Sequence, residues 1–392
     1  MNRRSLLISA GATALAGCAT ATPVRPAYQH AARIDAAAAR AMEAAQSFPG
    51  LAIAIYTREG VYARAYGVID IDTGEAATAD TAFYIASTTK PLTSLALAKL
   101  HAAGAFDLDA TLASYAPDAH FPAAVRADEV TFRHLLTHTH GISNSGIANR
   151  VAYTGMHDPA TLWRLLGAST AKSDAPLGTY QYTNVGYNIA TVLTDRRMGV
   201  AWQDLLQREL FAPAGMTRTS GRMSDARDWR LARPHMLDPE RGVVRTYLEK
   251  TDETMQSAGG LIMSANDALR WLELMCEDGR IGGRQIVPAE VVQATRAPFA
   301  DTGDDDNGVR VHYGLGWNVT QHLSEPAYYH SGGFSGFRSN ISYLPQRGVG
   351  VALFANDVSF ATPAMDALMY YVYTLSQPSA NADGELATAL EA

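Results

Sequence analysis

The chain is organised around Phe83-Tyr84-Ile85-Ala86-Ser87-Thr88-Thr89-Lys90, an apolar approach that leads into an Ala- and Leu-rich run. In that run the apolar residues recur at helical spacing, which predicts a buried helix ending near Gly104. Pro91 is compatible with a helix that begins at about Ser87, because the amides of a first turn have no intrahelical partner. Ser87 and Lys90 would then lie three residues apart on one helix face, with hydroxyl and ammonium side by side.

This helix start has the ingredients of a reaction centre. Its free N–H groups and partial positive charge would face any anion bound there. A serine, a nearby nitrogen base and an anion-stabilising pocket are the requirements of covalent acyl transfer. The alternative is a serine that caps the helix, followed by a surface lysine, and a Ser-x-x-Lys pattern alone recurs often by chance. The rest of the chain therefore has to decide.

Composition bounds the class of protein. A chain of 392 residues predicts two lobes, and 47% apolar with 18% charged residues is typical of a globular protein. The formal net charge of -7, without a basic run, argues against nucleic-acid binding. Cys18 and Cys276 are the two cysteines in the sequence. If Cys18 carries lipid, no structural disulfide remains, and Cys276 in its apolar surroundings is predicted to be a core thiol.

Residues 1–17 have the features of an export signal. Met1-Asn2-Arg3-Arg4 is basic, and the small and apolar segment that follows is too short to span a bilayer as a helix. The segment ends in Leu15-Ala16-Gly17-Cys18, which resembles the lipobox of bacterial lipoproteins, where the cysteine becomes the lipid-bearing first residue. We therefore expect a periplasmic protein anchored to the outer membrane through Cys18. A plain secretory peptide is the alternative, and both Sec and Tat export stay open.

Strand signals stand at both ends of the chain and helical signals between them. Strands are predicted at residues 51–56, 61–68, 313–320, 326–330, 339–344 and 349–355. This order predicts an α/β protein of the α+β type. One antiparallel sheet flanked by helices would be closed by the two chain ends, and a mostly helical lobe would be inserted in the middle.

The same reading predicts the domain organisation, with a pocket between two lobes. The expected parts are the signal peptide (1–17), a tether (18–27), one domain (28–378) and a disordered polar tail (379–392). Within the domain, the α/β lobe would comprise residues 28–86 and 255–378, and the helical lobe residues 87–254.

Two further stretches have the composition of an active site. Residues 178–187 form a Gly- and Tyr-rich loop before a helix, and they offer the phenol of Tyr182 and the amide of Asn184. Residues 329–338 form a strand that ends in glycines, which let a backbone approach a ligand closely. A turn tyrosine and a glycine hairpin are the structural alternatives.

Taken together, these stretches resemble a known family. Three segments, in order, are similar to the motifs of the penicillin-recognising serine hydrolases: Ser87-Thr88-Thr89-Lys90, Tyr182-Thr183-Asn184 and His330-Ser331-Gly332. The closest branch is that of class C β-lactamases with their family VIII esterase and D-aminopeptidase relatives. Supporting segments at 133–139, 257–261 and 313–317 extend the resemblance from about residue 50 to about residue 356. It implies a β-lactamase/transpeptidase-like fold and no cofactor.

The resemblance also implies roles by position. Ser87 would be the nucleophile that forms an acyl-enzyme, and Lys90 and Tyr182 would form the base system. Which of these two takes the serine proton stays open. Asn184 would orient the substrate and Lys90. The backbone N–H groups of Ser87 and Gly333 would form the oxyanion hole.

The third motif departs from the class C pattern. Those enzymes have Lys-Thr-Gly where this chain has His330-Ser331-Gly332, and a histidine is largely neutral at pH 7. We expect His330, Gly332 and Gly333 to bind substrate, and a missing ammonium favours neutral acyl groups over carboxylate-bearing β-lactams. Arg338 is a second candidate for the positive charge.

The sequence therefore predicts a serine hydrolase that acts on a small-molecule ester, amide or β-lactam, of the carboxylesterase, β-lactamase or D-peptidase type. The alternative is a non-catalytic penicillin-binding or scaffold protein that retains the pocket. No metal is expected, because His134, His138 and His140 lack a His-Glu-x-x-His pattern and the acidic loop 301–308 fails the EF-hand spacing. The natural substrate and the oligomeric state stay open.

Overall fold

The computed structural model describes residues 25–45, 48–155, 157–305, 308–357, 361–377 and 381–391. The predicted signal peptide, Cys18 and most of the predicted tether lie outside these residues. Among the described helices, none is both long enough and apolar enough to cross a bilayer.

Most strands of the described residues lie in the two terminal thirds of the chain. In chain order they are β1 (Gly50–Thr57), β2 (Val61–Gly67), β3 (Ala82–Tyr84), β4 (Ile142–Ser143), β5 (Thr170–Ala171), β6 (Thr219–Ser220), β7 (His235–Asp238), β8 (Gly242–Arg245), β9 (Ile262–Ser264), β10 (Arg280–Ile281), β11 (Arg284–Gln285), β12 (Ala300–Asp304), β13 (Arg310–Tyr313), β14 (Asn318–His322), β15 (Glu325–Phe334), β16 (Phe337–Leu344) and β17 (Val349–Ala355).

Most helices of the described residues lie between the two groups of strands. They are α1 (Ala31–Ala45), α2 (Thr89–Ala102), α3 (Leu112–Tyr115), α4 (Phe132–Leu136), α5 (Ser145–Asn149), α6 (Pro159–Leu165), α7 (Val185–Met198), α8 (Trp202–Leu206), α9 (Ala212–Ala214), α10 (Ala265–Cys276), α11 (Ala289–Arg296), α12 (Ala361–Leu375) and α13 (Ala382–Glu391). Single 3-10 turns occur at Ala86–Thr88, Ala123–Val125, Leu166–Ala168, Ser224–Ala226 and Gln256–Ala258, and π-helical turns at Arg150–Thr154 and Gln207–Phe211.

The two chain ends meet in one antiparallel sheet. Its order within the described residues is β12-β13-β14-β15-β16-β17-β1-β2, and β1 pairs with β17 from Leu51 opposite Ala355 to Thr57 opposite Val349. A smaller sheet, β3-β9-β6, leads the chain into the Ala86–Thr88 turn. The structure confirms the predicted antiparallel sheet with helices on it and a largely helical insertion. The exact lobe boundaries stay predictions.

Strand β1 is apolar throughout because both sheet faces are covered. Leu51, Ile53 and Ile55 belong to a hydrophobic layer with α1, α12 and α13. Ala52 and Ala54 belong to a second layer, which includes α10, α2 and the helices of the insertion. Alternate residues of every central strand therefore point to opposite layers. Ala86, the first residue of the Ala86–Thr88 turn, belongs to the second layer.

Two sequence predictions near the sheet edge are wrong. Residues 313–320 were predicted as one strand, but they contain the end of β13 and the start of β14. The break contains Gly316, which adopts φ +83 and packs against the backbone of Pro91. A Cβ added to Gly316 would lie 2.7 Å from the Pro91 Cα. The acidic segment 301–308 was expected to be a loop, but its first part is edge strand β12. Arg310 makes ion pairs with Asp301 and Asp304, which offsets the repulsion between the acidic groups.

The predicted disordered tail is also wrong for its described part. Ala382–Glu391 forms α13, with the side chains of Ala382 and Leu386 buried in the layer of α1 and α12. Asp383 accepts hydrogen bonds from Arg33 at 2.8 Å and from the Tyr371 hydroxyl at 2.6 Å. The short apolar stripe of α13 is stable here because α12 provides a surface for it.

Candidate active site

Ser87 lies in the 3-10 turn Ala86–Thr88 that runs directly into α2. Ala86 has φ +46, a conformation that costs a non-glycine residue ~1–2 kcal/mol. The turn is held by the Ile85 N–H, which donates to Leu261 O at 3.0 Å, and by Thr88 Oγ1, which donates to Ile85 O at 2.7 Å. The strained turn presents Ser87, whose side chain and backbone are only 8% exposed, at the start of a buried helix.

The side-chain nitrogen of Lys90 joins the first two predicted motifs to the segment around Ala258. Lys90 Nζ is 3.1 Å from Ser87 Oγ, 2.8 Å from Asn184 Oδ1 and 2.6 Å from Ala258 O. Complete burial lowers the pKa of Lys90 well below its ordinary value. A neutral amine has two N–H donors, which suit the Asn184 and Ala258 oxygens, and one lone pair, which would then face the Ser87 hydroxyl.

Tyr182 completes this group beside Lys90. Its ring centroid lies 4.8 Å from Lys90 Nζ. Desolvation raises the pKa of Tyr182, and the neighbouring Ser87 side chain partly offsets that rise. The ring remains 42% exposed, so the phenol forms one edge of an open site. Tyr182 and Lys90 are thus both favoured in their neutral forms.

His330 lies in the wall of the site rather than on its surface. It is 2% exposed, and both ring nitrogens are engaged. Nδ1 is 2.7 Å from Ser331 O and Nε2 is 3.1 Å from the Tyr313 hydroxyl, so Nδ1–H donates to the carbonyl and Nε2 accepts from the phenol. Burial is the main cause that lowers the pKa of His330 to about 3, with a smaller contribution from Lys90 in its protonated form. A direct contact between a ring nitrogen and substrate would require one of these hydrogen bonds to break.

The glycines of β15 bring the strand against the nucleophile turn. A Cβ on Gly332 would lie 2.5 Å from Ile85 O and 3.0 Å from the Ser87 backbone nitrogen. Gly333 is exposed, and its neighbour across the strand pair is Arg338. Since opposed residues in antiparallel strands share a face, Arg338 points to the face away from Ser87. Arg338 therefore does not replace the missing lysine of the third motif in this structure.

Sequence reasoning missed the aromatic support of Tyr182. The ring of His138 lies 4.4 Å from that of Tyr182 and 4.8 Å from that of Tyr313. His138 Nδ1 accepts a hydrogen bond from the Thr183 N–H at 3.4 Å, and burial lowers the pKa of His138 well below its ordinary value. The segment Thr137-His138-Thr139-His140 overlaps one of the supporting segments of the resemblance, so its importance could be predicted from the sequence. Its contact with Tyr182 could not be predicted, because no local pattern relates the two residues.

The sequence of this chain is similar to that of a known protein family. A family model described as Beta-lactamase matches residues 34–374, most of the chain. The chain belongs to the Beta-lactamase family. This membership confirms the predicted family and the predicted class, a serine hydrolase.

Individual relatives of the Beta-lactamase family are distant. The chain is 27% identical over 314 residues to penicillin-binding protein 4 of Amycolatopsis lactamdurans, covering 79% of this chain and 81% of the relative. It is 28% identical over 331 residues to esterase EstB of Burkholderia gladioli, covering 76% and 81%. The octameric penicillin-binding protein homologue from Pyrococcus abyssi has a similar fold, with a TM-score of 0.72 at 23% identity over 88% of this chain and 76% of that one.

Proposed function

We propose that the protein hydrolyses esters or amides through an acyl-enzyme formed on Ser87. The observation that carries the proposal is the position of Lys90 Nζ, buried and 3.1 Å from Ser87 Oγ. A lysine whose pKa is lowered by burial can accept the serine proton at neutral pH, whereas an exposed lysine cannot.

The residues support a two-step mechanism. Lys90 takes the proton of Ser87 as Oγ bonds to the substrate carbonyl carbon, and Asn184 keeps the amine in place. The N–H groups of Ser87 and Gly333 stabilise the developing oxyanion, each by ~3 kcal/mol. The proton then passes through the Tyr182 hydroxyl to the leaving group as its bond to carbon breaks. Water repeats the sequence in the second step and releases the acid.

Neutral acyl groups are the substrate class that this site supports best. His330 is uncharged, and Arg338 lies on the other face of the sheet. A substrate carboxylate would thus lack the charged hydrogen bond that a lysine in the third motif offers. Such a bond is worth ~1.5–3 kcal/mol, so short esters should react faster than carboxylate-bearing β-lactams.

The test is covalent labelling of the nucleophile. The protein is incubated with a fluorophosphonate, and the adduct is mapped by mass spectrometry while hydrolysis of p-nitrophenyl acetate is followed. We expect an adduct on Ser87 and loss of turnover in Ser87→Ala. Labelling at another residue, or full turnover by Ser87→Ala, would refute the mechanism. Absence of both turnover and labelling would favour the non-catalytic penicillin-binding alternative.

We also propose that the protein is exported and lipid-anchored through Cys18, at the periplasmic face of the outer membrane. The support is Leu15-Ala16-Gly17-Cys18 after a short apolar segment. Cys18→Ser should abolish incorporation of labelled fatty acid, with esterase activity of the purified protein retained. Recovery of a wild-type protein without lipid on residue 18 would contradict the proposal.

A further inference from the structure

Three side-chain positions of β15 point towards the turn Ala86–Thr88, which carries Ser87 and is called the nucleophile turn below. His330, Gly332 and Phe334 are alternate residues of one strand, and their partners Ile341, Ser339 and Phe337 lie on the same face. The His330 ring is 6.0 Å from the Tyr182 ring, and Gly332 abuts the Ser87 backbone nitrogen. Two residues of strand span about 7 Å, so Phe334 lies about that far beyond Ser87, on the side away from Tyr182.

Phe334 is part of an aromatic pair. Its ring is nearly parallel to that of Tyr153, with centroids 6.4 Å apart and an angle of 24° between the planes. Tyr84, buried beside the nucleophile turn, contacts Phe334 edge-on at 5.4 Å and so fixes the orientation of the Phe334 ring. One ring of the pair is thus held by the core, and the other is supplied by the helical insertion.

Tyr153 is exposed but anchored. The residue is 62% exposed, so part of its ring surface is accessible to a ligand. It lies in the π-helical turn Arg150–Thr154, a rare geometry that is frequent at functional sites. The Met255 N–H donates to Val151 O at 3.0 Å and ties this turn to the segment that precedes Ala258. The ring therefore faces solvent from a backbone that is connected to the catalytic centre.

The order of groups along β15 assigns a direction to the substrate. A leaving group must receive a proton from the base system, so it has to point towards Tyr182. The acyl part extends the other way from the carbonyl carbon, towards Phe334 and Tyr153. An acyl chain of one or two carbons followed by a ring would span the roughly 7 Å between Ser87 and Phe334.

We propose that Tyr153 and Phe334 form a subsite for an aromatic acyl group, and that they determine the acyl specificity of the enzyme. The inference rests on the proposed ester or amide hydrolysis at Ser87. Aromatic contacts of this kind change binding by roughly three- to tenfold. The contact is already made in the transition state of acylation, so the effect appears in kcat/KM for aromatic acyl groups.

The experiment varies the acyl group and keeps the leaving group constant. Values of kcat/KM are measured for p-nitrophenyl phenylacetate and p-nitrophenyl acetate in wild type, Tyr153→Ala and Tyr153→Phe. Tyr370→Ala is the matched control, because Tyr370 is also an exposed tyrosine but lies on α12, across the sheet. We expect the phenylacetate-to-acetate ratio to fall by roughly three- to tenfold in Tyr153→Ala. The ratio should stay within about twofold of wild type in Tyr153→Phe, because the aromatic ring at position 153 is kept. It should also stay within about twofold in Tyr370→Ala, because Tyr153 and Phe334 are unchanged.

Phe334→Leu provides a second variant and should lower the same ratio. If both esters are hydrolysed and the ratio is unchanged in Tyr153→Ala and in Phe334→Leu, the subsite is refuted while the proposed function stands. A ratio that falls equally in Tyr370→Ala would also refute it. If neither ester is hydrolysed and Ser87 takes no label, the proposed function and the subsite fall together.

Discussion

Lys90 and Tyr182 are neighbours beside Ser87, and desolvation acts on their pKa values in opposite directions. It lowers the pKa of the lysine and raises that of the tyrosine. The neutral forms of both are therefore stable together, and the amine is the stronger base of the two in this state. The phenol, with its proton still in place, is suited to pass a proton on to the leaving group.

Tyr182→Phe is predicted to lower kcat by about 10²-fold, because the hydroxyl that relays the proton is lost. Tyr180→Phe is the matched control: it removes a phenol from the same loop, and the Tyr180 ring packs against Tyr313 and His138. Steady-state kinetics with p-nitrophenyl acetate distinguish the two. A damaging Tyr180→Phe with a silent Tyr182→Phe would reverse the assignment.

The buried His330 is predicted to make stability depend on pH. Its pKa is lowered to about 3 from an ordinary value of 6.5, so between these values the unfolded chain binds more protons than the folded chain. The free energy of unfolding therefore rises with pH in this window, and the contribution is lost as the pH falls from about 6.5 towards 3. The loss for this group is about 2–3 kcal/mol between pH 7.5 and pH 4.5.

Urea unfolding of wild type and His330→Gln at these two pH values measures that contribution. The glutamine cannot titrate, so its stability should fall by about 2 kcal/mol less than that of wild type. The buried His138 and His140 are present in both proteins, and their contributions cancel in the comparison. An equal fall in both proteins would show that His330 does not titrate in this window.

At this scale the sequence predicted which residues meet but not how they are buried. Lys90 contacts Ser87 of its own motif and Asn184 of the second motif, as the resemblance implied. The burial and hydrogen bonding of His330 depend on Tyr313, which lies outside the motif His330-Ser331-Gly332. Likewise the Tyr153–Phe334 pair joins two segments that are distant in sequence, so no local sequence pattern predicts the contact. Contacts of this kind follow only from the assembled fold.

Among the elements, the crossing of β15 over the Ala86–Thr88 turn sets the geometry of the site. Gly332 is the point of closest approach, and the missing side chain lets the strand lie against Ile85 and Ser87. Ser339 on β16 fastens the same crossing, because its hydroxyl donates to Ile85 O at 2.6 Å. The relative position of the Ser87 and Gly333 N–H groups, the proposed oxyanion hole, therefore depends on a strand and a turn that are far apart in sequence.

Gly332→Ala is predicted to push these elements apart. Its Cβ would overlap Ser339 Oγ and lie 2.5 Å from Ile85 O, so backbone has to move. We expect a loss of ~1–3 kcal/mol in the free energy of unfolding and about 10²-fold in kcat/KM. Gly333→Ala is the control for stability, since the atoms nearest to its Cβ belong to the flexible end of the Arg338 side chain, and it should cost less in the free energy of unfolding. A Gly332→Ala protein with wild-type stability and wild-type kcat/KM would show that the crossing tolerates a side chain.

Element boundaries show where sequence patterns succeed. Strand β17 was predicted at its observed bounds, because its apolar run is continuous and buried on both faces. Ser264-Ala265-Asn266-Asp267 has the sequence pattern of a capping box, but only half of that capping box is present in the structure. Ser264 Oγ accepts from the Asp267 N–H at 3.2 Å, but the Asp267 carboxylate accepts from the Arg218 N–H and the Thr219 hydroxyl instead. Tertiary partners outweighed the local pairing there.

For the whole molecule, the layer opposite the active site contributes to stability through its last helix. Leu386 on α13 is 2% exposed and packs into the layer of α1 and α12. Leu386→Ala should lower the free energy of unfolding by ~2–4 kcal/mol, as cavity-forming substitutions do. Exposed Thr388→Ala should change it by less than ~0.5 kcal/mol. Urea unfolding measures both, and ester hydrolysis should be retained, because the sheet separates α13 from Ser87.

The pairing of β1 with β17 has a consequence for the time course of folding. The strands are neighbours in space, yet Leu51 and Ala355 are separated by roughly 300 residues of chain. A chain emerging from the ribosome at ~5–20 residues per second completes its first strand at least some 15 seconds before the partner of that strand exists. Until then β1 has an unpaired edge with apolar side chains on both faces, which is prone to aggregation. During most of synthesis this edge of β1 therefore has to be kept from pairing with other chains.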